Sequence, residues 1–216
     1  MIGSQLITDR NRAWVQAVAL IAMLLLVFLP SVGHTTWVLA TYALSYISFL
    51  TIPPEERCLY NLRLPNKKDI KVAIPLALLG FAMGFAIWYF LIGATLKQPS
   101  NVVDILTLPV QVVLAVAIVY FIHVLPQEIL YRGFFWGYLR KFKASVLLTF
   151  CIQAILECGA EFHYFSRPPF AFAWIQPILW ALVYGTVAWK TRSLWLSALV
   201  HACYNSMFVL FVDINL

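Results

Sequence analysis

The sequence predicts an all-α integral membrane protein of about seven transmembrane helices. Three observations predict it. First, 62% of the 216 residues are hydrophobic and 11% are charged, with a mean hydropathy of +0.85. Soluble domains carry roughly 25% charged residues, so there is too little polar surface here to clothe a water-soluble globule. Second, several uncharged apolar runs reach the ~20 residues needed to cross a ~30 Å hydrocarbon layer. Backbone groups in lipid must be satisfied within their own segment, which makes these runs helices. The short alternating segments of a transmembrane β-barrel are absent. Third, the cationic residues fall unevenly on the two sides of the spans.

The elements follow in order. The run 13–32 lacks a small-residue cleavage site and is long enough to span, so it reads as a retained helix and not as a signal peptide. A short Gly33-His34-Thr35-Thr36 turn joins it to 36–52. The loop 53–71 opens with Pro53-Pro54 and mixes charge with Leu59, Leu62 and Leu64; it reads first as a solvated topogenic loop, second as a short segment lying against anionic headgroups. The span 72–95 carries Gly80 and Gly84, and the span 106–139 carries Gly133 and Gly137, both small-xxx-small pairs that let helices approach closely. The second of these spans is roughly 50 Å long at 1.5 Å per residue, so it must tilt, kink at Pro126 or run beyond the hydrocarbon. Spans at 144–165, 171–189 and 193–212 complete the set. With the N-terminus inside, twelve Lys and Arg residues fall on the cytoplasmic side and two, Lys97 and Arg167, outside, with Arg132 left within a span. That asymmetry selects seven crossings, a cytoplasmic N-terminus and an external C-terminus. The net charge of +6 therefore reflects topology and not a nucleic-acid partner. Cys58, Cys151, Cys158 and Cys203 show no metal spacing and read as reduced thiols. No phosphate loop, dinucleotide fingerprint or other cofactor motif is present, so no cofactor and no metal is expected.

Charges in lipid cost roughly 2.5–3.5 kcal/mol each on insertion scales, so the polar residues within the spans demand a reason. They are His123, Gln127, Glu128, Arg132, Gln153, Glu157, Glu161, His163, Gln176, His201 and Asn205. Glu128 and Arg132 stand at i, i+4, where they can pair on one helix face, and His201 and Asn205 repeat that spacing on the last helix. Buried polar pairs that merely glue helices together are the structural alternative. Counted from the nearest cytoplasmic boundary at 1.5 Å per residue, Glu128 lies roughly 18 Å deep, His201 and Asn205 roughly 14 and 20 Å, and Gln153 and Glu157 roughly 15 and 21 Å. These five could share one cavity reached from the cytoplasm. His163, roughly 30 Å deep on the same count, fits the far surface better.

The stretch Gln127-Glu128-Ile129-Leu130-Tyr131-Arg132-Gly133-Phe134 resembles the Glu-Glu-x-x-x-Arg motif of the CAAX protease and bacteriocin-processing (CPBP, or Abi) family of intramembrane glutamic endopeptidases. The segment Ser193–Asn205, with His201-Ala202-Cys203-Tyr204-Asn205, is similar to that family's closing His-x-x-x-Asn motif. The resemblance covers about residues 110–212 and implies a CPBP-like helical bundle with a metal-independent peptidase activity. It implies that a glutamate and a histidine activate water, that His201 and Asn205 stabilise the oxyanion, and that Glu128 braces Arg132.

Two departures stand out. The family's first Glu, its expected base, is Gln127 here, and an amide cannot take a proton from water. The middle Phe-x-x-x-His motif is also altered: His163 follows Gly159 by four residues, while the usual depth falls nearer Gln153 and Glu157. Either Glu128 acts as base, with Glu157 sharing a proton, or hydrolysis is lost and the fold kept. The candidate catalytic set is thus Glu128, Arg132, His201, Asn205, Glu157 and His163. Residues 1–105 are expected to form N-terminal helices with a basic cytoplasmic loop, and 106–216 the core that carries the motifs. The enzyme reading implies a peptide or membrane-protein substrate. The rival is a scaffold or accessory subunit of a membrane complex, and a transporter or cofactor-binding protein using the same polar cavity is a third option. Membrane lipids are partners in every case, and the expected location is a bacterial-type plasma membrane.

Overall fold

The computed structural model describes residues 9–28, 34–87, 109–160 and 175–212. Seven long helices occur among them: α1 (Asp9–Phe28), α2 (His34–Thr51), α3 (Lys67–Ile87), α4 (Val110–Lys141), α5 (Val146–Ala160), α6 (Ile175–Thr191) and α7 (Leu194–Val212). No strand forms among the described residues; Leu62 and Ser193 make one isolated antiparallel bridge. α7 packs along α4, α6 lies against α3, α5 and α7, and α1 pairs with α2 and touches α5. The site described below sits where α4, α5, α6 and α7 meet.

α4 is long and apolar enough to cross a membrane, and only 11% of its most apolar stretch is buried against the rest of the bundle. A core helix of a soluble protein would be buried, whereas Val110, Leu114, Ile118, Val119 and Ile122 all face outwards. The helix does not break at Pro126. It widens just beyond, into a π-helical stretch over Ile129–Phe135, before resuming as α-helix to Lys141. The Pro126 carbonyl accepts a hydrogen bond from Ser45 Oγ on α2. Single wide turns of this kind are rare and concentrate at functional positions. At the far end Lys143, with φ of 53°, closes the helix, and the N–H groups of Lys143 and Ala144 bond back to the Arg140 and Leu139 carbonyls.

α3 begins five residues earlier than hydropathy suggests, because Asn66 caps it. Its Oδ1 accepts from the N–H groups of Lys68 (2.9 Å) and Asp69 (3.1 Å), and Asp69 Oδ2 accepts from the Asn66 N–H in return (2.7 Å).

The loop between α2 and α3 departs from expectation. It is not a solvated tether: Tyr60, Asn61 and Leu62 are buried. It folds against the basic end of α4, where Lys141 pairs with Glu56 (2.6 Å) and Arg140 Nη1 donates to the Leu59 carbonyl (2.7 Å). Arg63 ties the loop's other end to Asp69 (2.7 Å) and to the Thr191 carbonyl of α6.

This docking also reassigns Gly133 and Gly137. They admit the loop and the start of α7: a Cβ on Gly133 would stand 3.1 Å from Leu194 and 3.4 Å from the Tyr60 carbonyl, and one on Gly137 would overlap the Tyr60 ring. Gly80 does serve helix packing, with Val183 of α6 as its neighbour. Alanine in place of a helical glycine ordinarily gains up to about 1 kcal/mol. At Gly137 the overlap outweighs that gain, because overpacking costs about 1–3 kcal/mol and Tyr60 is held on all sides. Gly137→Ala should therefore lower the unfolding midpoint in detergent, and the loss should shrink in a Tyr60→Leu background.

Candidate active site

The wide turn of α4 carries the first charges. Glu128 and Arg132, one turn apart, are both wholly buried, and Arg132 Nη1 donates to Glu128 Oε1 at 2.8 Å. A guanidinium taken out of water costs several kcal/mol unless it is compensated. Arg132 is compensated twice, since its Nη2 pairs with Glu157 Oε1 of α5. Its guanidinium carbon also lies 5.4 Å from the centre of the Tyr184 ring of α6. The two carboxylates are thus bridged by a guanidinium and not by a shared proton. Buried Gln153, one turn before Glu157, donates to the Ala181 carbonyl (3.2 Å) and approaches Glu157 Oε1 (3.5 Å).

α7 completes the site. His201 Nδ1 lies 2.8 Å from Glu128 Oε1, and Ser197 Oγ donates to Glu128 Oε2 at 2.6 Å. Ser197 Oγ also lies 3.0 Å from the Tyr184 carbonyl. The Tyr184 ring stacks on His201 with centroids 4.5 Å apart and planes 17° from parallel, so the imidazole is held by its face as well as by Nδ1. Both oxygens of Glu128 are therefore committed, to Arg132, His201 and Ser197. The cluster meets the outside through His201 and Glu157, whose side chains are 12% and 11% exposed; Glu128 and Arg132 are 0% and 1%.

Of the residues singled out by sequence, the structure brings Glu128, Arg132, Glu157 and His201 into one cluster. Asn205 stands one turn beyond His201, half-buried and without a hydrogen bond among the described residues. His163 lies outside the described residues. His123, five residues before Glu128, faces Tyr42 of α2, whose hydroxyl is 3.2 Å from its Nδ1. Two members went unread. Ser197 precedes His201 by four residues as Asn205 follows it by four, so Ser197-x-x-x-His201-x-x-x-Asn205 is a polar line along α7 that could have been found. Tyr184 had no signal beyond its presence in an aromatic-rich helix. Among the described residues no group of three His, Cys, Asp or Glu side chains is placed to hold a metal ion.

The pairing sets clear expectations for stability. Arg132→Ala leaves two buried carboxylates facing each other, and breaking a buried pair costs about 3–5 kcal/mol. Ser197→Ala removes one bond to a charged group, worth about 1.5–3 kcal/mol. Denaturant titration of the purified protein should rank Arg132→Ala well below Ser197→Ala. The double variant Glu128→Gln/Arg132→Met should recover part of the loss.

No curated protein and no solved structure matches the chain. The family model described as type II CAAX prenyl endopeptidase Rce1-like matches residues 109–207. That stretch contains every member of the cluster, from Glu128 and Arg132 on α4 to Ser197 and His201 on α7, and also Asn205. Over this core the chain is similar to the CAAX protease family.

Proposed function

We propose that the protein is a CAAX protease-type endopeptidase that hydrolyses a peptide bond within the bilayer, with Glu128 and His201 as its working pair. The observation that carries this reading is the 2.8 Å contact between His201 Nδ1 and Glu128 Oε1. A carboxylate on one imidazole nitrogen fixes the tautomer and leaves Nε2 to act on a bound group. Glu128 is wholly buried and held by three partners, so it serves as brace, and His201 serves as base. His201 Nε2 takes a proton from water as the water oxygen bonds to the scissile carbonyl carbon. The carbonyl electron pair moves to its oxygen, where the Asn205 amide donates to the oxyanion. As the tetrahedral intermediate collapses, His201 returns the proton to the departing nitrogen and the C–N bond breaks. Arg132 keeps Glu128 charged and in place. Glu157 is the second partner of Arg132.

The match to the family model and the apolar α4 support a membrane location. We read seven crossings with a cytoplasmic N-terminus, which fits the twelve-to-two division of cationic residues. It also fits the meeting at one end of the bundle of Arg63, Arg140, Lys141 and Arg192, where Arg140 and Arg192 flank Trp189. In this reading residues 106–216 are the catalytic core and 1–105 its support. Gln127 favours a second reading, a non-hydrolytic accessory subunit of a membrane complex.

Cleavage separates the two. The reconstituted protein is offered peptides ending in a Cys-a-a-X sequence with the cysteine prenylated, and transmembrane peptides, with products identified by mass spectrometry. We expect His201→Ala and Glu128→Gln to lose at least about 100-fold in kcat, the range of general-base catalysis. Asn205→Ala should lose roughly 100-fold through the oxyanion. Turnover by His201→Ala equal to the parent's would overturn His201 as the base, and absence of cleavage by the parent beside intact complex assembly would overturn hydrolysis and favour the accessory role.

A further inference from the structure

Asn61 lies outside the family-matched core, on the loop between α2 and α3, and is wholly buried. Its φ of 57° places it in the left-handed region, which asparagine, aspartate and glycine enter most readily. Three hydrogen bonds tie it to α4 and α7. Nδ2 donates to the Arg132 carbonyl (2.6 Å), Oδ1 accepts from Arg140 Nη1 (2.8 Å), and its main-chain carbonyl accepts from the Leu194 N–H (2.7 Å). Arg132 sits in the wide turn of α4, where a change of helical register disturbs the regular ladder of carbonyls and amides. Leu194 is the first residue of α7, which carries Ser197, His201 and Asn205. One asparagine therefore fastens together the two helices that the Glu128–His201 bond also spans.

We propose that Asn61 is a positioning residue that fixes the register of α4 against α7 and so sets the Glu128–His201 bond. The loop outside the core is then part of the working site. The loop has other anchors: Tyr60 against Gly137, Glu56 with Lys141, Arg140 with the Leu59 carbonyl, and Arg63 with Asp69 and Thr191. Removing the Asn61 side chain leaves these in place, so the loop stays docked while the register loosens.

Two variants tolerate the left-handed backbone and separate its bonds. Asn61→Asp keeps the acceptor for Arg140 and removes the donor to the Arg132 carbonyl. Asn61→Gly removes both and keeps the main-chain bond to Leu194. The test uses the full chain in nanodiscs with 15N-labelled histidine, His201 being assigned by its loss in His201→Gln. Both variants should retain the helical signal and cooperative unfolding of the parent. In both, the His201 nitrogen resonances should move from their carboxylate-bonded positions. The activity arm rests on the proposed hydrolysis: kcat should fall roughly tenfold, the worth of one lost hydrogen bond, with KM unchanged. A parent that cleaves nothing counts against hydrolysis and leaves the resonances to decide the role of Asn61. His201 resonances identical to the parent's in both variants overturn the proposal. So does unfolding of both, because Asn61 would then hold up the fold and not the register.

Discussion

The buried charge of Arg132 is the constraint around which the site is arranged. A guanidinium without solvent contact in an apolar bundle is untenable alone, and the chain answers from three other helical positions. Glu128 comes from the preceding turn, Glu157 from α5 and the ring face of Tyr184 from α6. Each answer creates a further demand. Glu128 is itself a buried carboxylate, and Ser197 and His201 of α7 supply the donors that Arg132 leaves unprovided. The packing of α4, α5, α6 and α7 is thus specified by polar geometry as well as by shape. This matters where lipid lies outside, because apolar side chains gain little by exchanging lipid for protein. Counted formally, one guanidinium against two carboxylates leaves a single negative charge beside His201.

Much of this was legible in the sequence, for a definable reason. Helical periodicity placed Glu128 above Arg132 and His201 above Asn205 before any coordinates. Counting residues from charged boundaries put Glu157 at a matching depth. Both inferences use only the rise and turn of a helix, which a membrane span obeys closely. The same arithmetic explains what was missed. Ser197 is a hydroxyl in an apolar helix, and such residues commonly bond to their own backbone and signify nothing. Tyr184 matters because of which face of α6 meets α7, a property of packing and not of spacing.

The loop between α2 and α3 illustrates the opposite error. Its mixed charges look solvated, since composition cannot show that Arg63 and Glu56 each have a fixed partner. Nor can it show that Gly133 and Gly137, which imitate a helix-packing motif, accommodate Tyr60 and Leu194. The left-handed Asn61 and the wide turn of α4 belong together here. A loop asparagine donates to a carbonyl of that turn. The relation joins positions 71 residues apart, and no local pattern could announce it.

The amide at Gln127 bears on function less than it first suggests. A base must reach the water it deprotonates, and the buried Glu128 is tied to Arg132, His201 and Ser197. Two groups able to accept a proton then stand at the edge of the site: Glu157, which is paired with Arg132, and the imidazole of His201. Its Nδ1 is held by Glu128 and its face by Tyr184, the two restraints a histidine needs to present Nε2 in one direction. An inert scaffold has no use for such restraint. Buried ion pairs stabilise folds less than well-packed apolar side chains of the same volume. A structural cluster could thus be replaced by leucine and methionine with little loss. Four ionisable groups drawn from three helices, with the histidine at the cluster's edge, are costly as packing and coherent as chemistry, and on that balance the hydrolytic reading is the stronger.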